Sequence, residues 1–413
     1  MSQRRADVKV VTGCRSCAAA DLRLVLALGE TPLANDLPAA DDPLPPERYP
    51  LDLVLCRRCG LLQLRQVVSP RRLFSDYIYF SSFSDTMLRH AEAMAESLVR
   101  DRRLGPAGLV VEVASNDGYL LQFVKQRGVP VLGVEPAANV ARVAEQKGIP
   151  TLVEFFGRAL AERLAAEGKL ADAIVGNNVL AHVPEPNDFV AGLATLLKPD
   201  GLAQLEVPYV EEMLDRLEFD TIYHEHQCYF SLTALAGLFG RHGLRVVDVE
   251  RFPIHGGSIR VSVAHRGGPG RRVEQTLDEE ARRGVASLDR YRAFAASVEA
   301  LREELVGLLH ELKAGRAGIA AYGAAAKGVT LTSYCGVDER LLEFVVDRSI
   351  HKQGRLFPVG RLPILPPSAL LERRPDYALL LTWNFADEIL AQQAAYRQAG
   401  GRFIIPVPTP RVV

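Results

Sequence analysis

The 413-residue chain carries 49 Lys+Arg against 50 Asp+Glu and is 48% hydrophobic, a balance that gives no hint of nucleic-acid binding. It exceeds the roughly 250–300 residues at which one core tends to divide, so two or three domains are expected. No run approaches the ~20 apolar residues of a membrane span, and Met1-Ser2-Gln3-Arg4-Arg5-Ala6-Asp7 lacks a signal peptide's apolar centre, which makes the cytoplasm the default.

Residues 1–70 are rich in proline and turn residues around short apolar runs such as Leu51-Asp52-Leu53-Val54-Leu55. They offer too little core to fold unaided, so something must staple them. The staple is legible in Cys14-Arg15-Ser16-Cys17 and Cys56-Arg57-Arg58-Cys59-Gly60. These knuckles can present four thiolates (Cys14, Cys17, Cys56 and Cys59) to one tetrahedral zinc, and a closed Cys₄ shell leaves no place for a reacting water, which makes the metal structural. Between residues 70 and 103 the pattern turns helical, with Met87, Ala91, Met94 and Leu98 at three- and four-residue spacing.

From residue 109, strand-like runs at 109–113, 131–134, 171–175 and 202–207 alternate with helical stretches, predicting a parallel sheet with helices on both faces. Runs 244–249 and 258–264, joined through His255-Gly256-Gly257, read as an antiparallel pair that closes it. Where the first strand turns into a helix lies Glu112-Val113-Ala114-Ser115-Asn116-Asp117-Gly118, at the edge where open parallel sheets bind ligands. It lacks the GxGxxG spacing of a pyrophosphate cradle, and Glu135 at the end of the next strand can grip two ribose hydroxyls. A nucleoside without phosphates therefore fits better than a dinucleotide, although a structural turn with an Asx cap would look similar. Asn177-Asn178-Val179-Leu180-Ala181-His182 follows the third strand, bringing His182 toward the same cleft unless it merely packs in its loop. The densest cluster, Tyr223-His224-Glu225-His226-Gln227-Cys228-Tyr229-Phe230, follows the fourth strand and suits proton abstraction. Its spacing is not the His-Glu-x-x-His of a zinc protease.

Residues 271–315 are charged and helical and lead to a second alternation, with strands expected at 317–322, 342–346, 377–381 and 402–406. Tyr322-Gly323-Ala324-Ala325-Ala326-Lys327-Gly328 joins strand to helix there. Small residues, a lysine and a helix N-terminus make it either an anion site or a tight structural turn.

Together with Pro32-Leu33-Ala34-Asn35, Asp76-Tyr77-Ile78-Tyr79-Phe80-Ser81-Ser82 and His255-Gly256-Gly257-Ser258, these motifs resemble, over nearly the whole chain, the sugar C-methyltransferases that act on nucleotide-linked 4-keto-deoxyhexoses in the making of branched deoxysugars for antibiotics. The resemblance implies an α/β architecture of three parts. These are a zinc-binding domain (1–70), a Rossmann-like S-adenosylmethionine methyltransferase domain (71–266) and a C-terminal Rossmann-like α/β domain (267–413) that helps hold the nucleotide of a dTDP-linked sugar. It implies cofactor contacts from Glu112, Ser115, Asn116, Asp117, Gly118, Glu135, Asn177 and Asn178. Substrate contacts would come from Tyr77, Tyr79, Ser81, His224, His255, Tyr322, Gly323 and Lys327, and catalysis from His226, Glu225, Tyr223 and His182. Cys228 departs from the aromatic or small residue expected at its place. A ketone at carbon 4 acidifies the hydrogens at carbons 3 and 5, so a base of near-neutral pKa can form an enolate that takes a sulfonium methyl. His226 is read as that base, Glu225 as a group that could orient an imidazole, and His182 or Tyr223 as the donor to the enolate oxygen. A non-catalytic, zinc-scaffolded nucleotide binder is disfavoured by the residue 223–226 cluster. A nicotinamide-dependent dehydrogenase or epimerase is disfavoured by the missing GxGxxG.

Overall fold

The computed structural model describes residues 8–69, 72–73, 81–83 and 85–413, with the backbone alone for Phe83 and His255. Tyr77 and Tyr79 lie outside the described residues. The N-terminal part contains strands β1 (Val8–Val10), β2 (Leu22–Pro32), β3 (Arg48–Cys56), β4 (Leu62–Leu64) and β5 (Gln66–Val68). β1 and β5 form an antiparallel ribbon, while β2, β3 and β4 form an antiparallel sheet. Leu51, Leu53, Leu55, Leu62 and Leu64 are buried in a core that continues through helix and sheet of the C-terminal part. Cys56 and Leu61 belong instead to the core of the central part. The small core expected of this segment is thus supplemented from two sides.

Helix α1 (Asp85–Arg102) buries Met87, Ala91, Met94 and Leu98 along one face, as their spacing requires. The central part then runs β6 (Val110–Val113), α2 (Leu121–Gln126), β7 (Val131–Val134), α3 (Ala138–Gln146), β8 (Thr151–Leu152), α4 (Arg158–Ala166), β9 (Ala171–Asn177), α5 (Pro186–Leu196), β10 (Leu197–Pro208), α6 (Val210–Asp215), β11 (Cys228–Tyr229), α7 (Leu232–Gly240), β12 (Arg245–Phe252) and β13 (Ser258–Ala264). Its seven strands are ordered β12-β13-β10-β9-β6-β7-β8. All neighbours are parallel except β13, which runs antiparallel to both β10 and β12. Strand order reverses at β6, the position where a crevice opens beyond the carboxyl ends of the strands. β11 does not join this sheet. Cys228 pairs with Gln63 and Tyr229 with Leu62, so two residues next to the Tyr223-His224-Glu225-His226 cluster complete the N-terminal sheet.

Helix α8 (Arg271–Arg283) packs against β12 and α7. Its buried Glu280 accepts hydrogen bonds from the Leu232 amide at 2.7 Å, the Thr233 amide at 2.8 Å and the Tyr209 hydroxyl at 2.8 Å, satisfying donors at the start of α7 that no intrahelical acceptor serves. Helix α9 (Leu288–Ala314) buries Leu288, Tyr291, Phe294, Val298, Leu301, Leu305 and Leu309, a single stripe that lies against β2 and α10 (Ala326–Cys335). The C-terminal sheet, ordered β16-β17-β15-β14-β18-β19-β20, comprises β14 (Ile319–Tyr322), β15 (Val345–Val346), β16 (Leu356–Phe357), β17 (Leu362–Leu365), β18 (Tyr377–Leu380), β19 (Arg402–Ile405) and β20 (Arg411–Val412). The four expected strands are present, shortened at their ends. β17 adds a further parallel strand, and β16 and β20 add antiparallel edges.

Candidate functional site

The carboxyl edges of both parallel sheets and the residue 223–226 cluster enclose one cavity of about 780 Å³. On its central-domain side the chain leaves β6 in left-handed backbone, with φ of +57° at Ala114, +49° at Asn116 and +75° at Gly118. A side chain at Gly118 would press on Ile149 and Ala144, so the glycine is required by the turn and faces away from the cavity. Glu135 lines the cavity at the end of β7. Its carboxyl accepts the Asn116 amide at 3.0 Å and the Ala137 amide at 2.9 Å, and burial raises its pKa against those two donors. Asn116, Asn177 and Asn178 line the same wall, and Ser81 joins them by donating its amide to the Asn116 side-chain oxygen at 2.9 Å. Among the described residues, the side-chain oxygens of Asn177 and Asn178 are buried without a hydrogen-bond partner, which leaves them as acceptors on this wall.

Three residues expected at this wall stand behind it. Glu112 is buried beneath the loop and takes a hydrogen bond from the Leu121 amide, with burial raising its pKa well above the carboxylate range. Ser115 packs against Gly133, where a Cβ would collide with its hydroxyl. Asp117 is spent on the Ser82 hydroxyl and on Lys147, 3.2 Å away. These three, with Gly118, shape the loop and make no wall of the cavity.

The residue 223–226 cluster and His182 are held by carbonyls. His226 Nδ1 lies 2.9 Å from the Thr221 carbonyl, and His182 Nδ1 lies 2.9 Å from the Glu225 carbonyl. A carbonyl only accepts, so both rings carry a proton on Nδ1, and each ring in its neutral form keeps a lone pair on Nε2. The Tyr223 hydroxyl donates to His226 Nε2 at 2.8 Å. The His182 ring meets the His226 ring edge-on at 4.8 Å, and burial lowers the His182 pKa to about 4, so it is neutral at pH 7. The Glu225 carboxyl touches neither imidazole through its oxygens. It accepts the Asn35 side-chain amide at 2.7 Å, and burial raises its pKa to about 7. The imidazole-orienting role expected of that side chain is filled by main-chain oxygens.

Three expected substrate contacts, His224, Tyr322 and Gly323, make no wall of the cavity. His224, 1% exposed, lies with Nε2 3.1 Å from the Pro50 carbonyl and its ring against Tyr49, locking the cluster to the N-terminal sheet. Tyr322 packs with Phe403 in the C-terminal core. Gly323, at φ +97°, abuts Thr382 and serves the turn. For His255 the described backbone sits in the short turn Ile254–Gly256. Lys327 does line the cavity, its ammonium 4.0 Å from the centre of the Trp383 ring, whose indole N–H donates to Asp220 at 2.6 Å. Sequence reasoning assigned no role to Asn35, Glu218, Lys352 or Asn384, all of which line the cavity. Of these only Asn35 lay in a motif that had been noticed.

Away from the cavity, Cys14 and Cys59 sulfurs are 3.5 Å apart and Cys17 and Cys56 sulfurs 3.6 Å, with all four within 4.8 Å of one another. Zinc–sulfur bonds of about 2.3 Å make a tetrahedron with edges of about 3.8 Å, so the donor set fits zinc.

Three family models match successive stretches: a zinc binding domain at residues 14–74, a methyltransferase domain at 87–249 and a C-methyltransferase C-terminal domain at 253–408. The C-methyltransferase NovU of Streptomyces niveus is 40% identical over 412 residues, 98% of either chain. The ubiquinone biosynthesis O-methyltransferase of Burkholderia pseudomallei is 27% identical over 36% of this chain and 70% of its own. Among solved structures, the magnesium protoporphyrin IX methyltransferase of Synechocystis with bound S-adenosylmethionine aligns with 48% of this chain and 89% of its own, at 17% identity and a TM-score of 0.35.

Proposed function

This chain belongs to the C-methyltransferase family, S-adenosylmethionine-dependent enzymes with a zinc-binding domain, and from that premise we propose that it methylates a ring carbon beside the ketone of a dTDP-linked 4-keto-deoxyhexose in branched deoxysugar biosynthesis. Carbon 3 is the first candidate and carbon 5 the second. The observation that carries the reading is the Tyr223–His226 pair, a phenol hydrogen-bonded to the lone pair of an imidazole whose other nitrogen is tied to a carbonyl.

Asn116, Glu135, Asn177 and Asn178 would hold S-adenosylmethionine, Glu135 gripping its ribose. When bound there, the cofactor would supply a sulfonium methyl, whose carbon–sulfur bond would break as the enolate carbon forms its new carbon–carbon bond. Lys327 and the N-terminus of α10, with Lys352 and Asn384 nearby, would hold the diphosphate. His226 Nε2 takes the proton from the acidic carbon, and the Thr221 carbonyl stabilises the imidazolium that results. One lone pair cannot serve two donors, so the Tyr223 hydroxyl must leave Nε2 as the sugar enters, and the ketone oxygen at carbon 4 gives it a new acceptor. Base release and oxyanion binding are then one movement. Neutral His182, with its one proton on the Glu225 carbonyl, has no second N–H, which favours Tyr223 as the donor to the enolate oxygen. Glu225 and Asn35 would form the sugar-side wall, which Ser81 would meet from the Asn116 side. Tyr77 and Tyr79 remain assigned to the sugar pocket by resemblance.

Deuterium exchange tests this. In deuterated water without methyl donor, the enzyme should wash label into the carbon that becomes methylated, and His226→Ala should do so far more slowly. Exchange at the native rate in the variant, with methylation lost, would move the base to another residue.

A further inference from the structure

Glu218 is 4% exposed, lines the cavity, and among the described residues leaves its Oε1 buried with no hydrogen-bond partner. Its backbone is fixed: the amide donates to the Met213 carbonyl at 3.0 Å, and its carbonyl accepts the Thr221 hydroxyl at 2.7 Å. The side chain is seated against Gly256, where a Cβ would collide with both carboxyl oxygens. This gives a physical reason for the first glycine of His255-Gly256-Gly257, a motif that the catalytic cluster does not use. Among charged groups Lys327 acts most strongly on Glu218, followed by Asp220, Arg216 and Glu212, yet no ion pair joins Glu218 to Lys327 among the described residues. The lysine lies over Trp383 instead. A buried carboxyl and a lysine thus flank the same stretch of cavity without satisfying each other.

We propose that Glu218 is a further substrate-binding residue, hydrogen-bonding a diphosphate oxygen of the sugar nucleotide beside Lys327. The assignment rests on the reading of Lys327 as the diphosphate site. An ionised carboxylate would repel that anion, whereas a neutral carboxyl donates one O–H to it. Burial, aided by Asp220 and Glu212 and opposed by Lys327 and Arg216, raises the Glu218 pKa to about 8, and a bound diphosphate pushes it further the same way. The protonated form therefore binds, and affinity falls as pH rises through about 8.

The test is calorimetric titration with thymidine diphosphoglucose, whose diphosphate diester does not titrate in this range, at pH 6.5 and 9.5. The native enzyme should lose about tenfold in affinity at the higher pH. Glu218→Gln, which keeps a neutral donor, should bind like the native enzyme at pH 6.5 and lose the pH response. Glu218→Ala should be about tenfold weaker at pH 6.5, with S-adenosylhomocysteine binding intact as the control for folding. Native-like binding by Glu218→Ala, or a pH response that persists in Glu218→Gln, overturns the assignment. Lys327→Ala separates the two ideas. If it loses binding while Glu218→Ala does not, only Glu218 is wrongly assigned; if it binds like the native enzyme, the diphosphate reading fails.

Discussion

The two parallel sheets solve the same backbone problem in the same way and then diverge in charge. After β6 the loop amide of Asn116 donates to Glu135, which also accepts the amide two residues beyond itself, that of Ala137. After β14 the loop amide of Ala324 donates to Asp347 at 2.7 Å, which also accepts the amide two residues beyond itself, that of Ser349, at 2.8 Å. An acid at the end of the neighbouring strand locks each switch-point loop. The longer glutamate reaches the cavity, while the shorter aspartate does not and lies 3.9 Å from Lys352. One crevice therefore presents a carboxyl and amides, suited to ribose hydroxyls, and the other presents Lys327, Lys352 and a helix N-terminus, suited to an anion. Architecture fixes where a ligand sits, and one methylene and two lysines decide its kind.

The most severe way to break the comparison is to remove what both crevices share. His226→Ala should lower turnover by roughly 10²–10⁴ while leaving calorimetric affinity for both ligands nearly unchanged, the signature of a general base. Zinc removal should act on the frame: elemental analysis should find one metal per chain, and Cys56→Ser should cost about 3 kcal/mol, lowering the melting temperature by roughly 3–4 °C. A metal-free protein with native stability would refute that. Next come the two sides separately. Glu135→Ala should weaken S-adenosylmethionine binding at least tenfold, from charge-assisted hydrogen bonds worth about 1.5–3 kcal/mol, with the sugar nucleotide unaffected, and Lys327→Ala should do the converse. Loss of both ligands in either variant would mean that the crevices do not work independently. The smallest effect is expected at Asp347→Ala, which frees a loop without removing a wall. A loss of about 1 kcal/mol, some fivefold in sugar-nucleotide affinity, would match a mere positioning role.

Much of this was legible because it is written in local pattern. Paired CxxC motifs, alternation of β-rich and helical runs, and Glu135 after its strand are each set by neighbours in the chain. What escaped depends on distant partners. Nothing at Glu218 announces that Gly256 makes room for it, and Asp347 looks like any loop acid until Ala324 lies beside it. The residue 223–226 cluster is legible as a run, but its side chains fan apart in a turn, so Tyr223, His226 and the Asn35-held Glu225 face the cavity while His224 goes to Pro50. Side-chain direction in irregular backbone has no period to read. β11 and β16 span two residues each, too short to emerge from any window.

β11 also bears on how such enzymes can be recombined. The Gln227 carbonyl accepts the Leu64 amide at 3.0 Å, and Cys228 pairs with Gln63, a few residues past the zinc knuckle at Cys56 and Cys59. A chimera spliced at the seam near residue 70 would therefore carry His226 on one parent and the strand that pairs with β11 on the other. Exchange of substrate preference between relatives should succeed when the first 70 residues travel together with the 218–230 segment, because the working module is discontinuous in the gene.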